Sequence, residues 1–107
     1  MNVGPYIAWF FGGVFLMNAV PHVVAGVLGR PFQTPFAKPS GEGLSSSTVN
    51  VLWGFFNLGV AWLLLVHSGS FDLHAWDDAL VAGAGGLLIS VFGARHFGRF
   101  HGGNTAR

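Results

Sequence analysis

The chain has 107 residues, of which 51% are hydrophobic and only 8% charged. A soluble domain usually carries about 25% charged residues, so too few are present to cover a soluble surface, and a formal net charge of +1 points to no nucleic-acid partner. The absence of cysteine excludes disulfides, thiolate metal sites and thiol nucleophiles.

The apolar residues fall into three long runs, each near the roughly 20 residues that a bilayer-spanning helix needs. The first runs from Tyr6 to Leu28 and predicts a helix over about residues 5–29. Pro5 sits in its first turn, where proline is tolerated. Pro21 lies inside and should kink it, which a membrane helix permits. No Lys or Arg precedes this run and no clear small-residue cleavage site follows, so a cleaved signal peptide is not expected.

A Pro-rich loop follows, about residues 30–45, with Pro31, Pro35 and Pro39 at every fourth position. They forbid a regular helix and favour extended or turn geometry. Phe32 and Phe36 stand out as apolar in a polar segment. One reading lays them on the bilayer interface. The other folds the loop back over the helices to shape a site.

Ser45, Ser46, Ser47 and Thr48 offer N-caps for a second helix over about residues 46–67. The third is predicted over about 73–98. Asp72 is its expected N-cap, and Phe71 and Trp76 have the spacing of a hydrophobic staple. Residues 102–107 are expected to fray. The expected fold is therefore an all-α membrane protein, a single three-helix transmembrane domain. No internal repeat is evident.

Every Lys and Arg (Arg30, Lys38, Arg95, Arg99, Arg107) falls in the first loop or at the C-terminal end, which three spans place on one side. The other side has Asp72, Asp77 and Asp78 and no basic residue. The positive-inside rule then gives N-terminus out and C-terminus in. Tyr6, Trp9, Trp62 and Trp76 would form the outer aromatic belt.

On the third helix Ala82, Gly86, Ser90, Ala94 and Gly98 recur at every fourth position, a ridge of small residues that lets another helix approach closely. The first helix aligns Phe11, Phe15, Asn18, His22, Ala25 and Gly29 on one stripe; the second aligns Ser47, Asn50, Gly54, Asn57 and Ala61. His22 is seven residues, roughly 10 Å, from Gly29. The same depth puts Asn57 and Ser90 in its layer, with Asn18 about a turn further out. Polar groups in hydrocarbon need partners. The layer is read either as a hydrogen-bonded clasp, His22 to Asn57 or to a backbone carbonyl freed by Pro21, or as a ligand, proton or cofactor site. No cofactor is expected. A b-type haem ranks below that, because it normally wants two axial ligands and His22 is the one histidine clear of both interfaces.

His74 and Asp78 lie one turn apart and are weak metal-ligand candidates without a diagnostic motif. Arg30, Arg95 and Arg99 suit anionic lipid headgroups or a phosphate-bearing ligand. No catalytic constellation is present, and all four acids lie outside the apolar runs, which argues against an enzyme and against a carboxylate-driven pump. The expected role is a small polytopic protein working as a homo-oligomer or as an accessory subunit of a larger membrane complex. The alternative is a transport or conduit protein using the His/Asn layer. A haem- or quinone-associated redox subunit stands third.

The stretch Asn18-Ala-Val-Pro-His22, Gly29-Arg-Pro-Phe32, Thr34-Pro-Phe-Ala, Gly43-Leu-Ser-Ser and Asn50-Val-Leu-Trp-Gly54 resembles a group of short uncharacterised bacterial membrane proteins. The resemblance covers about the first half of the chain. It implies a bacterial inner membrane as the home and no activity.

The orientation is testable in intact cells. A cysteine introduced at Ser70 should label from outside with an impermeant reagent, and one at Ser40 should not. The reverse pattern would invert the topology.

Overall fold

The computed structural model describes residues 2–105 and consists of three long helices and a two-stranded hairpin. In chain order these are α1 (Gly4–Val27), β1 (Phe32–Gln33), β2 (Leu44–Ser45), α2 (Ser47–Val66) and α3 (Trp76–His101). All three helices are long and apolar enough to cross a membrane. Pro21 lies inside α1 without ending it. Gly29, at φ 74°, turns the chain out of the helix in a conformation that a side chain would disfavour.

The loop folds back. β1 and β2 pair antiparallel, Phe32 opposite Ser45 and Gln33 opposite Leu44. The chain then enters α2 through Ser46, whose side chain accepts a hydrogen bond from Val49 N. Phe32 is drawn inward rather than laid on an interface. Its ring stacks on His101 at 5.0 Å and lies 4.7 Å from Phe97. Phe36 stays exposed, edge-on to Trp53.

The start of α3 differs from expectation. The helix begins at Trp76 after Ala75, which offers no side-chain cap. Asp72 instead closes a local turn, its carboxylate accepting from His74 N, while its own N–H donates to Asp78 Oδ2. Four residues before the helix are thus held by a turn, and Asp78 is buried to serve it. Phe71 and Trp76 form no staple: Phe71 packs on Trp9, and Trp76 is 83% exposed. At its far end α3 runs to His101, and the left-handed Gly102 closes it. Residues 102–105 turn back, Asn104 Nδ2 donating to Arg95 O. Arg107 lies outside the described residues.

α1 is the central element. It packs extensively on both α2 and α3, which scarcely meet each other. Glycines permit the close approach. A Cβ on Gly13 would overlap the carbonyl of Ala82, and one on Gly85 would overlap that of Phe10. On the other side of α1, Gly26 faces Ser47 and Val51, and Gly54 of α2 faces Val23. Of the predicted ridge, Ala82 and Gly86 meet α1, whereas Gly98 meets Asn104 of the tail.

The two ends differ in charge. His96 reaches Gly41 O and His101 reaches Gln33 Oε1, which joins the basic first loop to the basic end of α3. At the opposite end Tyr6 donates to Asp77 Oδ2 and the Trp9 indole donates to Ser68 O.

The glycine contacts carry a prediction. Gly13→Ala should lower stability by about 1–3 kcal/mol, the usual cost of overpacking. Gly83→Ala, where a Cβ meets nothing within 4 Å, should be neutral. Unfolding in mild detergent measures both; equal stabilities would contradict the close α1–α3 contact.

Candidate functional site

The buried stripe of α2 carries two amides in an otherwise small-residue surface: Asn50, Gly54, Asn57 and Ala61. Asn50 and Asn57 have no solvent exposure. Each is anchored by main-chain carbonyls, and each determines the polarity of a residue on α1.

Asn50 Nδ2 donates to the carbonyls of Phe32, Ser45 and Ser46 at 3.2, 3.1 and 3.0 Å. These contacts identify the nitrogen, so Oδ1 must accept. It does so from His22 Nδ1, at 2.8 Å. Neutral His22 is therefore the Nδ1–H tautomer, with the lone pair on Nε2. The second relay works alike. Asn57 Nδ2 donates to Trp53 O at 2.8 Å, so its Oδ1 accepts from Asn18 Nδ2 at 3.0 Å. Asn18 Oδ1 is then the atom left over.

His22 and Asn18 sit one turn apart on α1 and both line a cavity of about 240 Å³ at the basic end. Its other walls are Gln33, Thr34, Pro35 and Gly41 from the folded-back loop, Trp53 from α2, and Phe92, His96 and Phe97 from α3. His22 is 2% exposed, yet among the described residues its Nε2 has no hydrogen-bond partner. That atom is not sealed in protein either, which the Trp53 indole nitrogen is. The remaining surface of His22 thus opens on the cavity.

His96 is placed differently. Its Nε2 donates to Gly41 O at 2.7 Å, and its Nδ1 accepts from Arg99 Nη2 at 3.2 Å. Both nitrogens are occupied. Arg99 is held against its own helix by this bond and by the face of Phe100, at 4.9 Å. Arg30 and Arg95 are exposed at the same end.

The expected layer of His22, Asn57 and Ser90 is redistributed. His22 pairs with Asn50 rather than Asn57, because Asn50 stands beside the loop carbonyls that orient it. Asn57 pairs with Asn18. Ser90 bonds to Gly86 O of its own helix; it shares a neighbouring crevice with Asn18 but is not in the cavity of His22. His74 has a fully exposed side chain, and Asp78 is committed to Asp72 N, so the two form no common site. Among the described residues no group of three metal-ligating side chains is present.

Asn50 was visible as a member of the α2 stripe. Gln33, Thr34, Trp53 and His96 were not assignable to the site, since a loop and two helix ends converge on it only in three dimensions. Comparison with protein-family models, with curated proteins and with solved structures gives no match.

Asn50→Ala tests the first relay. It strands His22 Nδ1–H and the loop carbonyls, at about 1–3 kcal/mol for an unpartnered buried group. Stability should fall by that order and the loop should become protease-sensitive near Gly41. A variant as stable and as resistant as the native chain would refute the role.

Proposed function

We propose that this chain is a three-span protein of a bacterial inner membrane, basic end in the cytoplasm, that binds a small molecule in the cavity at His22. The observation that carries the reading is His22 Nε2, which has no hydrogen-bond partner among the described residues, on a side chain only 2% exposed that lines a mostly apolar cavity. A buried lone pair without a partner is costly. Five side-chain hydrogen bonds through Asn50 and Asn18 nonetheless orient this wall of the cavity, which is the arrangement of a site that receives a partner.

Binding fits better than conduction. From Asn18 to Trp9, roughly 13 Å of α1, the helices meet through apolar and glycine residues, with Gly13 against Ala82 and Gly85 against Phe10. The cavity lies at one end of the bundle.

A second reading, assembly with a further copy or a larger membrane complex, is favoured by α3. It is the least covered of the three helices and presents Leu80, Leu87, Leu88 and Val91 outward. Cross-linking between cysteines placed at Leu87 in native membranes would support self-association.

For the binding role, His22→Leu should abolish co-purification of any small molecule seen by native mass spectrometry. Val24→Leu, at an outward-facing position, should preserve it. Equal retention by both variants would overturn the assignment.

A further inference from the structure

We infer that the ligand class of this cavity is a neutral phenol, a flat ring whose hydroxyl donates to His22 Nε2. The inference deepens the binding role proposed above and rests on it. The two amide relays leave two acceptors on the α1 wall, His22 Nε2 and Asn18 Oδ1, one turn apart, while Gln33 on the loop wall spends its Oε1 on His101 and keeps its Nε2 as a donor. A ligand that engages the α1 wall must therefore bring a donor, and a hydroxyl can also accept from Gln33.

Charge narrows the class. No carboxylate lines the cavity, and Arg30, Lys38, Arg95 and Arg99 all lie at this end of the bundle. A cation would enter against that field and meet no counter-charge. An anion on the α1 wall would face two lone pairs. A neutral donor meets neither penalty.

The walls narrow it further. Trp53, Phe92 and Phe97 supply aromatic surface, which stacks on or edges against a ring and leaves the hydroxyls of a polyol unsatisfied. A volume of about 240 Å³ corresponds to roughly eight waters, room for a single substituted ring. Trp53 also forms the edge of a purely apolar outer groove with Phe36, Val49, Leu52 and Phe56.

The test uses the full chain in lipid nanodiscs, with phenol and its methyl ether anisole as probes. Anisole keeps the ring and removes the donor. Phenol should bind saturably and anisole about tenfold more weakly, the equivalent of one hydrogen bond. In the native chain labelled with nitrogen-15 at histidine, phenol should shift the His22 Nε2 resonance and anisole should leave it in place. His22→Leu should erase the difference between the probes. Equal binding of both, with the His22 resonance unmoved, would overturn the phenol assignment and leave the cavity a binding site. Failure of both to saturate, with His22 Nε2 reporting water only, would overturn the binding role as well.

Discussion

The loop end of the molecule depends on one amide. Asn50 is the point at which β1, the β2–α2 junction and α1 are joined, because its nitrogen reaches Phe32, Ser45 and Ser46 while its oxygen holds His22. The Ser45 and Ser46 carbonyls belong to the entry of α2, and the Phe32 carbonyl to a two-residue strand too short to be stable alone. One uncharged side chain thus ties the hairpin to two helices at no cost in buried charge. The same bonds remove any freedom in the His22 tautomer. Loop position and the chemistry of the histidine are consequently one constraint.

The cavity exists because α1 serves two partners that scarcely meet each other. Glycines let α1 lie almost backbone to backbone with α3, through Gly13 and Gly85, and closely against α2, through Gly26 and Gly54. Close packing on both flanks of one helix leaves an angle between the outer two. At the acidic end that angle is closed by Trp9, which packs against Tyr6 and Phe71 and donates to Ser68 O. At the basic end it is closed by the folded loop, with His96 and His101 as the ties. The cavity lies between this loop and the three helices.

Much of this was legible in composition and periodicity. The three helices follow from long apolar runs, and the α2 stripe of Asn50, Gly54, Asn57 and Ala61 is the buried face because small and polar residues alternate at helical spacing there. The boundaries of α3 were harder. Asp72 has the chemistry of an N-cap, but its carboxylate is spent on the nearer His74 N–H and its amide on Asp78, so the helix waits until Trp76. The pairing of the polar residues was not legible. Helical rise placed His22 level with Asn57, yet the partner that prevails is Asn50, since the folded loop supplies the three carbonyls that orient it. A tertiary contact with a proline-rich loop leaves no period in a sequence. Phe32 shows the same limit: its inward turn depends on His101 and Phe97, more than sixty residues away along the chain.

Two histidines line the cavity, and their surroundings give them opposite capacities. His96 spends Nε2 on Gly41 O and Nδ1 on Arg99, so it is a strut between the loop and α3 with no lone pair to offer. His22 spends only Nδ1, and on an acceptor that obliges it to keep its proton. Ligation of a metal through His96 Nδ1 would require the release of Arg99, and through Nε2 would cost the loop its tie at Gly41. A single hydrogen-bond donor asks for no such rearrangement, because among the described residues Nε2 has no partner and the Nδ1 bond to Asn50 already orients the ring. Residue type alone would have ranked the two histidines equally. What separates them is which neighbouring atoms are donors and which are acceptors, and those are set by main-chain carbonyls at the ends of helices and by one arginine.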